Sequence, residues 1–372
     1  MSKIKEVYDR ISEASSNFLG YPLAKDFNYS EFAPFLNLCI NNVGDPESPS
    51  TLSIDTKDIE RKVVSFFTDI LSSSTKEVWG YITNGGTEGN LYGLYLARES
   101  FNNPVVYYSE STHYSVKKNL HLLNLKNIVV RSQENGEIDY NDLESLITLH
   151  RDKPAVFFLN IGTTITEAVD DLDKIKGIIK KYAIKDYYIH CDAAFLGCIA
   201  PFVEPKPKFD FSEGIDSISI SGHKFIGGPI PCGIVLAKRK HRDRIVNSVS
   251  YVGTLDTTIT GSRNGLTPLL LWSFIEKHGK EGLTIRTKKA QELAAYSEKR
   301  LKEIGVNAWR NNEALTVVLE KPSEALCKKH QLASENNMAH IICVPGIQKE
   351  QINAFIRDYE KELFVAERLT YN

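Results

Sequence analysis

Two short segments of this chain carry residue types that could do chemistry together. Ser221-Gly222-His223-Lys224 closes an alternating run at 217–221 and leads into a turn of Gly227, Gly228 and Pro229. Upstream, His190-Cys191-Asp192 closes an apolar run at 187–192. A lysine amine attacks a carbonyl carbon, and a carboxylate can keep a ring nitrogen protonated. A carboxylate at the end of a buried strand is costly unless a cation or a donor meets it. Taken singly, Lys224 also reads as a solvated strand end and Asp192 as the cap of a turn. Taken together, they suit pyridoxal phosphate, which needs a lysine for its aldehyde and a carboxylate for its pyridine nitrogen.

Other polar segments follow apolar runs in the same way. Thr83-Asn84-Gly85-Gly86-Thr87-Glu88-Gly89 comes before a helix-type run. Its glycines let backbone amides face an anion, and Thr87 adds a hydroxyl. It has neither the Walker lysine nor GxGxxG spacing, so alone it could be a tight turn. His113 offers a flat imidazole that could stack on a ring, or it is an ordinary loop histidine. Thr163, in Asn160-Ile161-Gly162-Thr163-Thr164, could bond a phenolate oxygen or a substrate carboxylate, or could cap a helix. Ala193 and Ala194 after Asp192 leave room for a planar ring, and Ser221 and His223 stand where a phosphate could be held.

Strand-type runs occur at 78–83, 105–109, 127–132, 155–160, 187–192, 217–221 and 232–237. Helix-type runs such as 89–99, 139–149 and 171–183 separate most of them. The alternation predicts an α/β fold with a seven-stranded, mainly parallel sheet. The last strand follows a Gly-Gly-Pro turn too short for a crossover, so it is expected to be antiparallel. In such sheets ligands collect at the carboxyl ends of the strands. Residues 1–50 read as an N-terminal arm, 51–275 as the large domain and 276–372 as a smaller α+β domain. A long helical stretch at about 266–304, with breaks expected at Gly279 and Gly282, leads into it, followed by runs at 315–321 and 339–345 and a final helix at 348–362.

The net charge of −2 leaves no electrostatic footprint for nucleic acid or a membrane surface, so a small molecule is the expected partner. No apolar run approaches the ~18 residues of a membrane span. The N-terminus lacks the apolar core of a secretory signal. The six cysteines form no CxxC pair, which favours reduced thiols in a cytoplasmic protein over a metal site.

The chain resembles the group II pyridoxal phosphate-dependent amino-acid decarboxylases, particularly the bacterial histidine decarboxylases and the plant serine decarboxylases. The matching segments run in order from GYP and INNVGDP (20–22, 40–46) through WGYITNGGTEGN (79–90), YYSESTHYSVKK (107–118), NIGTT (160–164) and HCDAA (190–194). They continue with SGHKFIGGPIPCG (221–233), TITGSRNG (258–265) and AHIICVP (339–345). The resemblance implies the fold type I architecture of pyridoxal phosphate enzymes and a homodimer with shared active sites. It makes Lys224 the residue bonded to the cofactor, Asp192 the partner of its ring nitrogen and His113 the group stacked on its face. It assigns the phosphate to Gly86, Thr87, Ser221 and His223, and brings Ser262 to the neighbouring subunit's phosphate. Tyr251 falls where relatives carry a loop tyrosine that could return a proton to Cα. One position departs from the pattern: Leu266 stands where relatives usually have histidine.

The expected activity is decarboxylation of an amino acid, histidine first and serine second. An aminotransferase or carbon–carbon lyase would share Lys224 and Asp192, and a degenerate binding protein would need neither.

Overall fold

The computed structural model describes residues 2–249 and 253–370. The chain forms two compact units. The larger comprises Phe27–Thr164 and Ala168–Ile285; the smaller comprises Met1–Asp26, Ile165–Glu167 and Arg286–Asn372.

In chain order, the elements begin with α1 (Lys3–Asn17) and α2 (Lys57–Ile70). Strands and helices then alternate: β1 (Val78–Thr83), α3 (Gly86–Ser100), β2 (Val105–Ser109), α4 (Ser115–Leu122), β3 (Lys126–Val130) and α5 (Tyr140–Thr148). There follow β4 (Ala155–Asn160), α6 (Leu172–Lys181), β5 (Tyr187–Asp192), β6 (Ser217–Ser221) and β7 (Gly233–Lys238). These seven strands form one sheet in the order β1-β7-β6-β5-β4-β2-β3. The expected antiparallel strand is present: β7 runs against both β6 and β1. All other pairings are parallel. The carboxyl ends of β1 to β6 therefore open on one edge.

Strands β1, β2, β4 and β6 are buried along their whole length, as a sheet covered on both faces requires. Alternate residues build one core: Trp79, Tyr81, Val106, Tyr108, Val156, Phe158, Tyr188, Val235 and Ala237 pack with Tyr92, Leu94, Leu96, Val116 and Leu120. The period of two in the strands and the helical spacing in α3 and α4 put these side chains on facing surfaces. Helix α3 lies close to the sheet because its glycines allow it. A Cβ on Gly89 would come within 2.2 Å of the Ser219 Oγ.

After β7 come α7 (Arg239–Arg242) and a two-stranded ribbon, β8 (Asn247–Val249) with β9 (Thr254–Asp256). The helical stretch α8 (Leu266–Glu303) breaks at Gly279, whose φ of 54° and ψ of −156° leave the helical region. In the smaller unit β10 (Ala308–Trp309), β11 (Thr316–Glu320), β12 (Ala333–Glu335) and β13 (Met338–Ile342) form an antiparallel sheet in the order β10-β11-β13-β12. Helices α9 (Glu324–His330) and α10 (Lys349–Thr370) complete that unit, whose core includes Val317, Leu319, Ile341, Ile352 and Phe355.

Candidate active site

Asp192 is the last residue of β5, in register with Asn160 of β4 and Ser219 of β6. It is buried, and its carboxylate is met from two directions. Asn90 Nδ2 of α3 donates to Oδ2 at 2.7 Å, and the Ala194 backbone N–H donates to Oδ1 at 3.1 Å. Behind Asn90 stands His190, two residues before Asp192 and hence on the same face of β5. Its Nε2 lies 2.9 Å from Asn90 Oδ1, and its Nδ1 lies 2.7 Å from Ser217 Oγ. Complete burial drives the His190 imidazole down to about 3, so it is neutral.

Lys224 follows β6 in a single wide helical turn, His223–Gly227. Among the described residues its ammonium has no hydrogen bond or ion pair. Burial pushes it below the ordinary lysine range, and the Asp192 charge opposes part of that shift. The turn is braced by Tyr29, whose hydroxyl donates to the Gly227 carbonyl at 3.2 Å.

Thr83, Asn84 and Glu88 shape the loop before α3. Glu88 Oε2 accepts from the Asn84 backbone and side chain at 2.9 and 2.7 Å, and Thr83 Oγ1 donates to the Gly85 carbonyl at 2.9 Å. Gly85 caps the helix at φ 140°, a region that favours glycine. Beyond it, the first-turn amides of α3 have no intrahelical partner. A Cβ on Gly86 would lie 2.8 Å from Ser221 Oγ and 3.3 Å from Ala194 Cβ, and one on Gly85 would lie 4.0 Å from His223 Cε1. Gly86, Ser221, Ala194 and His223 therefore meet around the start of α3, with Thr87 in its first turn. His223 is oriented by the Cys232 carbonyl, 2.7 Å from Nδ1, and burial holds it below the usual histidine range.

His113 lies after β2. Its Nδ1 is 2.8 Å from Ser115 Oγ. Burial lowers its pKa, Asp192 raises it, and Lys224 and Lys118 lower it further, so its ring sits in the field of both principal groups. The loop is tied down by Asn160, whose Nδ2 donates to Thr112 Oγ1 at 3.1 Å.

Of the remaining expected positions, all but Tyr251 are described. Thr163 Oγ1 accepts from the Ala168 N–H at 2.9 Å, closing a tight loop after β4. Ser262 is exposed and accepts from Asn41 Nδ2 at 3.1 Å. Its loop is zipped to the INNVGDP segment: Asn42 N–H bonds the Arg263 carbonyl and Gly44 N–H bonds the Gly261 carbonyl. Buried Arg263 pairs with buried Glu60, which also receives the Ile82 N–H. Leu266 begins α8, capped by Asn264 Oδ1 at 2.8 Å. Tyr251 lies outside the described residues. Sequence reasoning assigned no role to Asn90, His190 or Ser217. The shared face of His190 and Asp192 at a spacing of two was the available signal.

The arrangement fits pyridoxal phosphate. A half-buried amine, unpartnered among the described residues, stands in the field of a buried carboxylate, and a cradle that a single Cβ would fill opens at a helix N-terminus. That set supplies a carbonyl-binding nucleophile, a partner for a ring nitrogen and an anion site.

Known proteins agree. The family described as the pyridoxal-dependent decarboxylase conserved domain matches residues 53–318. The chain is 47% identical to the histidine decarboxylase of Mesorhizobium japonicum over 95% of this chain and 96% of that protein. It is 46% identical to that of Morganella morganii over 91% of each. Among solved structures, L-methionine decarboxylase from Streptomyces sp. 590 superposes with a TM-score of 0.88 at 25% identity, covering 97% of this chain and 95% of that one. With the lysine, the carboxylate and the anion cradle assembled at one sheet edge, and relatives matching from end to end, the chain belongs to the pyridoxal-dependent decarboxylases.

Proposed function

We propose that this protein decarboxylates L-histidine to histamine and carbon dioxide, using Lys224, Asp192 and His113 as its central residues. The observation that carries the reading is the half-buried Lys224 amine, without a hydrogen bond or ion pair among the described residues, in the field of the Asp192 carboxylate. Histidine as substrate rests on the two full-length relatives of that name.

Pyridoxal phosphate, when bound, supplies a pyridine ring that takes up the electron pair left by the departing carboxylate. Lys224 is the residue that would bond its aldehyde carbon. Burial favours the neutral, nucleophilic amine. Asp192 would hold the proton on the ring nitrogen, and Ala194 would leave space for the ring. Gly86, Thr87, Ser221 and His223 would hold the phosphate, where the first-turn amides of α3 favour an anion. His113 would cover one ring face. Thr163 would support the ring or substrate from the β4 side. Tyr251 is the candidate for returning a proton to Cα, with His113 as the alternative donor.

The enzyme is read as a cytoplasmic homodimer, with Ser262 reaching the neighbouring subunit's phosphate. Helix α1 supports an unfilled interface: no residue in it is buried, and Ile4, Tyr8 and Ile11 are 82%, 70% and 54% exposed. All six cysteines are free thiols, in keeping with a reducing compartment. No helix among the described residues is long and apolar enough to cross a membrane.

The test is amine and carbon dioxide release from the cofactor-loaded protein across single amino acids. Histamine from L-histidine supports the proposal. Ethanolamine from L-serine would keep the chemistry and move the substrate. A keto acid in place of an amine would indicate an aminotransferase.

A further inference from the structure

We infer that Asn90 and His190 are positioning residues that aim the Asp192 carboxylate through a chain of hydrogen bonds in which every proton has one place. The inference rests on the reading of Asp192 given above and adds the groups that hold it.

The direction of each bond follows from the one before. A carboxylate offers only acceptors, so the Asn90 amide must turn its NH₂ toward Asp192. Its Oδ1 then faces His190, and only a protonated Nε2 can meet it at 2.9 Å. A neutral imidazole carries one proton, so Nδ1 is left with a lone pair. The Ser217 hydroxyl, 2.7 Å away, donates to it. The order is Ser217 Oγ–H to His190 Nδ1, His190 Nε2–H to Asn90 Oδ1, and Asn90 Nδ2–H to Asp192 Oδ2. All four residues are buried, with His190 and Ser217 at 0% exposure, so water does not compete for these bonds.

The backbone around the chain is built to fit it. Asn90 and Gly93 are three apart on α3 and face the sheet together. A Cβ on Gly93 would come within 2.1 Å of His190 Nδ1 and 2.3 Å of Cε1. Glycine there leaves room for the imidazole against the helix. The ring also packs on Phe158, its in-register neighbour on β4, with centroids 5.0 Å apart. Packed between helix and strand, the ring presents a single fixed edge to Asn90. A charged imidazole would have to sit wholly out of water with no carboxylate against it, so complete burial favours the neutral ring, in which Ser217 is the donor to Nδ1.

The experiment has two readouts. The first is ¹⁵N NMR of histidine-labelled apoprotein, with the His190 signals identified by their loss in His190→Gln. The expected pattern is a neutral imidazole protonated at Nε2 that does not titrate between about pH 5.5 and pH 9. A ring protonated at Nδ1, or one that titrates in that interval, would overturn the inference. The second is the dissociation constant of pyridoxal phosphate. Glutamine can place an amide donor where Nε2 stands, whereas leucine fills the space without one. His190→Leu and Asn90→Ala should weaken cofactor binding by roughly 10–100-fold, the usual effect of losing an outer hydrogen-bond partner, with His190→Gln much closer to the parent. Equal loss in the leucine and glutamine variants would reduce the histidine to packing and sink the idea. Asp192→Asn serves as the control. If it leaves turnover unaffected, the assignment of Asp192 fails; if it cripples turnover while the Asn90 and His190 variants bind cofactor normally, only the chain behind it fails.

Discussion

Gly86 and Ser221 approach so closely that a Cβ on the glycine would stand 2.8 Å from the serine Oγ. One belongs to the first turn of α3 and the other to the end of β6, and between them they shape the proposed phosphate cradle. Gly86→Ala should force Ser221 aside and partly fill the space. The expected loss of pyridoxal phosphate affinity is about tenfold or more, or ~1.4 kcal/mol. Spectroscopic titration of the apoprotein checks this, and an unchanged dissociation constant would remove the cradle from the phosphate site.

Asp192→Asn keeps the shape of the side chain but removes its charge. Because the proposed role is electronic, kcat should fall by at least about 100-fold, ~2.7 kcal/mol of barrier, while cofactor remains partly bound. Steady-state kinetics beside a cofactor titration separate the two effects. Full activity in this variant would show that no ring-nitrogen partner is needed at this position.

His113 can act as a flat surface or as a proton donor. Its pKa is lowered by burial, so the neutral ring dominates at neutral pH. As a surface, its replacement by phenylalanine should preserve much of the activity that alanine loses. Comparable collapse in His113→Phe and His113→Ala would instead make it the proton donor.

Glu167 gives a pH effect on stability. Its carboxyl is fully buried, accepts hydrogen bonds from the Leu315 N–H at 3.0 Å and the Thr316 hydroxyl at 2.5 Å, and is pushed by burial from 4.5 up to about 7. The folded protein therefore takes up a proton near pH 7 that the unfolded chain takes up only near pH 4.5. Stability from this group is gained as pH falls through the folded value and is lost again as pH rises through it. Glu167→Gln mimics the protonated form. Its melting temperature should exceed the parent's at pH 8, and the advantage should shrink toward pH 5. A difference constant across that interval would contradict the assignment.

The sheet was legible because its strands are buried on both faces and read as near-continuous apolar runs between helix-length segments. Lys224 and Asp192 stood out for the same reason: polar groups that end such runs must face something. The strands Ala308–Trp309 and Ala333–Glu335 were missed because elements of two and three residues carry no readable period. Asn90 and His190 are 100 residues apart, and their hydrogen bond leaves no periodic trace in the chain. Asn41 and Ser262 lie in two segments that the resemblance had singled out, yet their pairing across 221 residues came only with the fold. Thr163 shows a different limit: its hydroxyl accepts from the Ala168 N–H across the turn, a bond that the sequence does not reveal.

The account turns on one reaction, so its sharpest test follows the carboxyl carbon. Cofactor-loaded protein and the Lys224→Ala variant would be given L-histidine labelled at the carboxylate. The parent should release the label as carbon dioxide in step with an equal amount of histamine, and the variant should release none. A loaded parent protein that frees no label from histidine or any other amino acid, or a Lys224→Ala variant that still does, would contradict it.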